Sequence, residues 1–103
     1  MEAVITNHAT KRTKERVGIS KKLTEKNAIR ALECGIQHED TKGRLRRYVD
    51  SLYLKEHAAN NVRIYCNNVY LFHNNILITV FPVPVKYRKI VDNIIKKRKE
   101  VLV

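Results

Sequence analysis

The alternation of apolar and polar positions is sharpest between residues 62 and 81, where three short apolar runs are joined by two Asn-Asn steps. Asn suits tight hairpin turns because it tolerates a positive φ. The stretch therefore predicts three antiparallel strands joined by two-residue turns. If each Asn-Asn pair forms the turn, Tyr65 lies opposite Tyr70, and Tyr70 lies opposite Thr79 across the next strand.

Side chains on these strands alternate between two faces of the predicted sheet. One face is mostly apolar and predicts the core; its members are Val62, Ile64, Cys66, Val69, Leu71, Ile76, Ile78 and Val80. The other face combines an arginine with aromatic and hydroxyl groups; its members are Arg63, Tyr65, Tyr70, Phe72, Leu77, Thr79 and Phe81. This second face is either a functional surface or a second small core beneath another helix.

Four stretches around the hairpins predict helices from their apolar spacing and cap residues. They run from His8 to about Arg16, from Lys21 to Cys34, from about Thr41 or Arg44 to Glu56, and from Tyr87 to Glu100. Ser20 is the expected N-cap of the second helix, and Gly35 is expected to end that helix in the left-handed conformation.

The order of short strand, helices, antiparallel sheet and final helix predicts a single α+β domain. We expect the N-terminal helices and the C-terminal helix to pack on one face, the apolar one, of a small twisted antiparallel sheet. We expect residues 1–85 to form the helix-plus-sheet part and residues 86–103 to form a basic amphipathic helix of the same domain. A chain of 103 residues has room for one modest core.

The charge of the chain indicates a polyanionic partner. Lys and Arg number 21 against 10 Asp and Glu, which gives a formal net charge of +11. RNA, DNA, an anionic surface or an acidic protein would be attracted, although a basic surface can also serve solubility alone. No apolar run reaches the length of a membrane span, and the first residues lack a signal-peptide core. Without Cys-x-x-Cys or paired His spacing, we expect no metal and no cofactor. Cys34 and Cys66 are far apart in the sequence, at a helix end and in a buried strand, so we expect both to be small core residues in a reduced, cytoplasmic setting.

Two groups of residues could contact a phosphate. His8, Lys11, Arg12 and Arg16 are spaced by three and four residues, which places them close together on a helix. An imidazole beside cations suits proton transfer next to a bound phosphate. The alternative is a solvated basic face with an incidental histidine.

The second group lies on the sheet. Arg63 could bind a phosphate, the hydroxyls of Tyr65 and Thr79 could donate to it, and Tyr70 and Phe72 could stack on bases. The alternative is that these aromatic side chains pack under a helix.

The segment Asn7-His8-Ala9-x-x-Arg12-x-x-x-Arg16-x-Gly18-Ile19 resembles an H-A-x-x-R-(x)-E-R-G-I signature of small bacterial and phage proteins. In that group the sheet ends in an I-x-T-V pattern, whose counterpart here is Ile76-Leu77-Ile78-Thr79-Val80-Phe81. Such proteins look like relatives of the RelE/ParE and barnase-like toxin ribonucleases, which are small helix-plus-antiparallel-sheet domains. The resemblance covers most of residues 4–85. An extra Val17 and the charged tail after Pro84 depart from it.

The resemblance implies a metal-independent endoribonuclease, in which an RNA 2′-hydroxyl attacks the adjacent phosphate. His8 would match the family's amino-terminal histidine, Arg12 and Arg16 its arginines, and Thr79 its last-strand threonine. In this hypothesis His8 is the general base or acid, and Arg12, Arg63 and Lys11 stabilise the charge on the phosphoryl oxygens. An antitoxin-like protein partner would fit it. The alternative is a non-catalytic nucleic-acid-binding protein of a phage or mobile element.

Overall fold

The computed structural model describes residues 2–55 and 58–102. Along the chain the elements are β1 (Val4–Ile5), α1 (Asn7–Val17), α2 (Lys21–Cys34), a short 3-10 helix (His38–Asp40), α3 (Gly43–Lys55), β2 (Asn61–Tyr65), β3 (Asn68–His73), β4 (Ile76–Pro82) and α4 (Val85–Leu102). The predicted α+β class is confirmed, and the four predicted helices are present with ends that differ by a few residues. The predicted continuation of α3 to Glu56 lies outside the described residues.

Helices α1 and α2 begin at side-chain caps and end at glycines. The Thr6 hydroxyl accepts a hydrogen bond from the Ala9 amide at 3.1 Å, and Ser20 accepts one from Leu23 at 3.3 Å, which confirms Ser20 as the cap of α2. Gly18 ends α1 with φ 70°, in the left-handed region. The same expectation for Gly35 is wrong, because Gly35 is extended, with φ −65° and ψ 158°.

The sheet is mixed, with the strand order β1-β4-β3-β2. The two predicted hairpins are antiparallel, but the short strand β1 pairs in parallel with β4, through Val4 with Ile76 and Ile5 with Leu77. The expectation of a purely antiparallel sheet is therefore wrong. A parallel neighbour is possible here because the long connection through α1, α2 and α3 separates β1 from β4 in the chain.

The first hairpin turns one residue earlier than predicted. Cys66 and Asn67 are its central residues, and both have a positive φ, 49° and 61°. Arg63 consequently lies opposite Tyr70, and Tyr65 lies opposite Asn68. This correction moves the pairing by two residues, so every side chain of β2 keeps its predicted face.

The second hairpin turns at Asn74 and Asn75, as predicted, but its register changes further along. A bulge shifts the pairing between Leu71 and Phe72, so that Leu71 lies opposite Thr79 and Tyr70 lies opposite Val80. The predicted row of Tyr65, Tyr70 and Thr79 across three strands is therefore wrong.

Helices cover both faces of the sheet, and this corrects the expectation that they cover only one. The α3–α4 core lies on one face; its buried residues include Leu45, Val49, Val62, Ile64, Val69, Leu71 and Val91. The α1–α2 core lies on the other; its buried residues are Ala9, Ala28, Ala31, Leu32, Tyr70, Phe72, Leu77 and Val80. The bulge explains why Val80 joins the second core, while Phe81 packs against the first.

The second core forms because the face that carries Tyr70 and Phe72 is itself largely apolar. Removing one large apolar side chain from water contributes about 1.5–3 kcal/mol. Helices α1 and α2 supply the small residues Ala9, Ala28 and Ala31, whose short side chains let the helices approach the rings closely. The protein is thus a sheet between two helical layers.

Candidate nucleic-acid interface

Helix α1 places the predicted His8, Arg12 and Arg16 along one side. They recur every four residues, which corresponds to a rise of about 6 Å between successive side chains. His8 and Arg16 are exposed, and Arg12 is half-buried. Lys11 is exposed on the same helix, so the structure brings this predicted group together.

Arg16 also reaches the last-strand threonine. Its Nη1 donates a hydrogen bond to the Thr79 hydroxyl at 3.3 Å. Thr79 is fully buried, so its hydroxyl holds the guanidinium and is not presented to solvent. The predicted direct contact between Thr79 and a phosphate is therefore replaced by a positioning contact with Arg16.

Arg63 is engaged in a different interaction from the predicted one. Its Nη1 donates to the carbonyl of Leu32 at 2.9 Å and lies 3.5 Å from that of Ala31, while its Nε donates to the Asn61 side chain at 2.9 Å. Carbonyls in the last turn of a helix lack partners inside the helix, and a cation satisfies them well. Arg63 thus joins the end of α2 to β2 through its Nη1 and Nε groups, and its role as a phosphate ligand stays a prediction.

The aromatic side chains predicted to stack on bases lie inside the protein. Tyr70 and Phe72 have no exposed surface, and their rings stack on each other with centroids 6.4 Å apart. Burial raises the pKa of Tyr70 to about 12. Tyr65 is half-buried at the edge of the same core. A base-stacking role for Tyr70 and Phe72 is wrong because neither ring has an accessible face.

The outer side of α1 and α2 is strongly basic, and we call this surface the basic helix layer. Eight cationic residues belong to it: Lys11, Arg12, Lys14, Arg16, Lys21, Lys22, Lys26 and Arg30. Its acidic residues are Glu15, Glu25 and Glu33. Among the described residues none of these groups forms an ion pair; the pairs present join His38 to Asp50 and Arg98 to Asp40, at 2.6 and 2.7 Å. The first turns of both helices lack acidic residues, so their positive ends add to the field.

Sequence analysis missed the stripe on α2 within this layer. Lys22, Lys26 and Arg30 recur every four residues and are all exposed, directly opposite the buried Thr24 and Ala28 side of the helix. The i, i+4, i+8 spacing was the available signal. The three cations extend over about 12 Å of helix.

Elsewhere, the structure shows a concave surface on the opposite side of the sheet. A cavity of about 650 Å³ lies between α4 and the 3-10 helix; its lining residues are Asp40, Lys42, Ile90, Asn93, Ile94, Lys97 and Arg98. None of the residues predicted for catalysis or nucleic-acid binding lines this cavity. Within residues 2–55 and 58–102, no three His, Cys, Asp or Glu side chains are grouped so as to hold a metal ion. Nor does this part of the chain contain a helix with the length and apolar character needed to cross a membrane.

Comparison of the chain with protein-family models, with curated proteins and with solved structures finds no match. The resemblance to toxin ribonucleases therefore stays a prediction.

Proposed function

We propose that the protein binds nucleic acid through the basic helix layer. The observation that carries this proposal is the excess of eight cations over three glutamates on the outer side of α1 and α2, without ion pairs among the described residues. Unneutralised cations on a surface attract the phosphate backbone, and each contact releases counterions from the nucleic acid. The formal charge of +11 strengthens the long-range attraction.

The expected binding mode is contact with the backbone. The stripe of Lys22, Lys26 and Arg30 can follow successive phosphates along one strand, with His8, Arg12 and Arg16 on the neighbouring helix. Phosphate contacts position a protein on nucleic acid without reading its sequence. Because Tyr70 and Phe72 are enclosed in the core, we expect little sequence preference.

A charge-reversal experiment tests where the nucleic acid binds. The triple variant Lys22→Glu/Lys26→Glu/Arg30→Glu is expected to lose roughly a hundredfold or more in affinity at low salt, since three phosphate contacts become repulsive. The measurement is fluorescence anisotropy with a labelled 20-nucleotide RNA, repeated with single-stranded and duplex DNA.

The matched control carries the same change of charge on the opposite helical layer. Lys89→Glu/Lys96→Glu/Lys99→Glu alters three exposed positions of α4 and is expected to weaken binding much less. The slope of log affinity against log salt should fall by about 2–3 in the α2 variant, at 0.7–0.9 per contact. Equal losses in both variants would place the binding elsewhere or make it non-localised, and absence of binding by the wild-type protein would reject the proposal.

A second candidate function is the metal-independent ribonuclease, and the contact between Arg16 and Thr79 favours it. That contact joins the two ends of the signature, the helix α1 and the last strand, in one place. The members of the α1 group that remain accessible for chemistry are His8, Lys11, Arg12 and Arg16. His8 would remove the proton from the 2′-hydroxyl, whose oxygen then bonds to phosphorus and closes the 2′,3′-cyclic phosphate. The bond from phosphorus to the 5′-oxygen breaks, that oxygen takes a proton from water, and the guanidinium groups stabilise the charge on the phosphoryl oxygens.

The variant His8→Ala tests this candidate. If the protein is a ribonuclease, the variant is expected to lose cleavage by about 10²–10⁴-fold, the usual contribution of a general acid or base, while keeping its fold. The measurement is cleavage of a mixed RNA pool in EDTA, with detection of 2′,3′-cyclic phosphate ends. His73→Ala, which removes an exposed histidine from the end of β3, is the control. Unchanged cleavage in His8→Ala would remove the histidine from the mechanism.

A further inference from the structure

Each of the two cysteines lies two residues away from one isolated backbone bridge, on the same end of it. Ile36, just after α2, forms an isolated antiparallel bridge with Ile64 of β2, through two hydrogen bonds of 2.8 and 3.0 Å. Counting two residues from the bridge along each segment leads to Cys34 on one side and Cys66 on the other. Gly35 and Tyr65, which separate the two cysteines from the bridge, both have extended backbones, so continuing the pairing through them would place Cys34 opposite Cys66. Opposite positions in a regular ladder have Cα atoms about 5.5 Å apart, within the range of about 4.4–6.8 Å found for disulfides.

The side chains around the two cysteines support this placement. Cys34 ends α2, Cys66 begins the β2–β3 turn, and Tyr65 directly precedes Cys66 in the chain. Burial raises the pKa of Tyr65, the neighbouring Cys66 and Cys34 thiols raise it further, and the charge of Arg30 lowers it. Both cysteines are exposed and free, so the expectation that they are core residues is wrong. Cys34 Sγ donates to the carbonyl of Arg30 at 3.2 Å. An oxidant in solution can therefore reach either thiol.

We propose that Cys34 and Cys66 form a reactive dithiol that closes into an intramolecular disulfide when the protein meets a peroxide. One thiolate attacks a peroxide oxygen, which gives a sulfenic acid and releases water after proton transfer. The second thiolate then attacks that sulfur, forms the S–S bond and displaces the hydroxyl group as a second water. Overall, two thiols and one hydrogen peroxide give one disulfide and two waters, and two electrons pass from the sulfur atoms to the peroxide.

The disulfide would join the end of α2 to the β2–β3 turn, next to Arg30 of the basic helix layer. This position lies beside two existing fastenings of the same helix end, the Arg63 contacts and the bond from Arg98 Nη1 to the carbonyl of Cys34 at 2.8 Å. The inference concerns the thiols alone and does not depend on the proposed nucleic-acid binding.

Mass spectrometry under non-reducing conditions tests the proposal. The reduced full-length protein is treated with one equivalent of hydrogen peroxide at low micromolar concentration and quenched with an alkylating agent. We expect a monomer about 2 Da lighter than the reduced chain, since closure removes two hydrogens. After trypsin, residues 31–42 and 64–86 should be recovered as one cross-linked peptide.

Two controls separate proximity in the fold from ordinary thiol oxidation. The variants Cys34→Ser and Cys66→Ser change exposed positions and should give a sulfenic acid or a disulfide-linked dimer instead of the closed monomer. Closure of the wild type should be independent of protein concentration and should slow by roughly tenfold or more in guanidinium chloride, because the unfolded chain must first bring the two ends of a long loop together. Dimers as the main wild-type product, doubly oxidised thiols without a cross-link, or equal rates in folded and unfolded protein would each overturn the proposal.

Discussion

Replacing Phe72 with alanine is expected to lower the free energy of unfolding by about 3–5 kcal/mol, the usual loss for a large aromatic side chain in a core. Phe72 has no exposed surface and lies on β3, in the middle of the α1–α2 core. The substitution removes its transfer free energy, leaves a cavity under the helices and deprives Tyr70 of its stacking partner at 6.4 Å. Guanidinium chloride unfolding followed by far-UV circular dichroism measures the change.

The matched control is Phe81→Ala on the other face of the sheet. Phe81 is half-buried at the margin of the α3–α4 core, so its truncation removes less apolar contact and is expected to cost less. The comparison distinguishes the two interpretations of the aromatic face that the sequence allowed. A stacking surface for bases would show a small change in stability and a large loss of nucleic-acid affinity in Phe72→Ala, which is the reverse of the result expected here.

Local periodicity predicted the elements well because each helix or strand depends mainly on its own residues. The positions of α1, α2 and α4 follow from apolar spacing and from caps such as Ser20, within a few residues. The assignment of the β2 side chains to the two faces of the sheet was correct although the predicted turn was wrong. The register error was two residues, and side chains alternate between faces with a period of two.

Errors appeared where distant parts of the chain decide the outcome. The bulge opposite Leu71 changes the phase of β4, so that Val80 and Phe81 exchange faces, and the alternating pattern of the sequence carries no mark of it. The parallel pairing of β1 depends on the path of the intervening helices. Whether α1 and α2 cover the aromatic face is also a matter of tertiary packing, which amphipathic spacing does not determine.

In the candidate site, too, relations between residues close in sequence could be predicted and contacts between distant residues could not. His8, Arg12 and Arg16 could be placed together from sequence because a helix fixes the relation of residues four apart. The main-chain carbonyls that Arg63 binds could not, because they belong to a helix far away in sequence. An arginine on a strand that faces tyrosines is equally consistent with a phosphate ligand and with a helix fastening. The stripe of Lys22, Lys26 and Arg30 could have been predicted from the sequence, because residues four apart lie on the same side of a helix.

Gly35 ends α2 as predicted, but the physical reason why a glycine is needed there differs from the predicted one. A glycine after a helix predicts the left-handed conformation, yet Gly35 has the φ and ψ angles of an extended backbone, which any residue can adopt. A glycine is required because there is no room for a side chain at this position. A Cβ at this position would lie 2.4 Å from the carbonyl oxygen and 3.1 Å from the Cα of Ala31, which are backbone atoms of the last turn of α2.

The variant Gly35→Ala is therefore expected to destabilise the protein by about 3 kcal/mol, at the upper end of the usual cost of forcing atoms into a packed interior. The clash falls on a carbonyl that accepts the Gly35 amide at 2.9 Å and lies near Arg63, and relief of the clash would displace Ile36 from its bridge with Ile64. Chemical denaturation measures the loss. Gly18→Ala is the matched control, since Gly18 has φ +70° but no atom within 4 Å of the new Cβ, and its cost should stay near the 1–2 kcal/mol of a left-handed alanine. A larger loss of unfolding free energy in Gly18→Ala than in Gly35→Ala would contradict this prediction. It would mean that the end of α2 can shift to make room for the new Cβ, and that the contacts between α2 and β2 around Arg63 and Cys34 do not hold it rigidly.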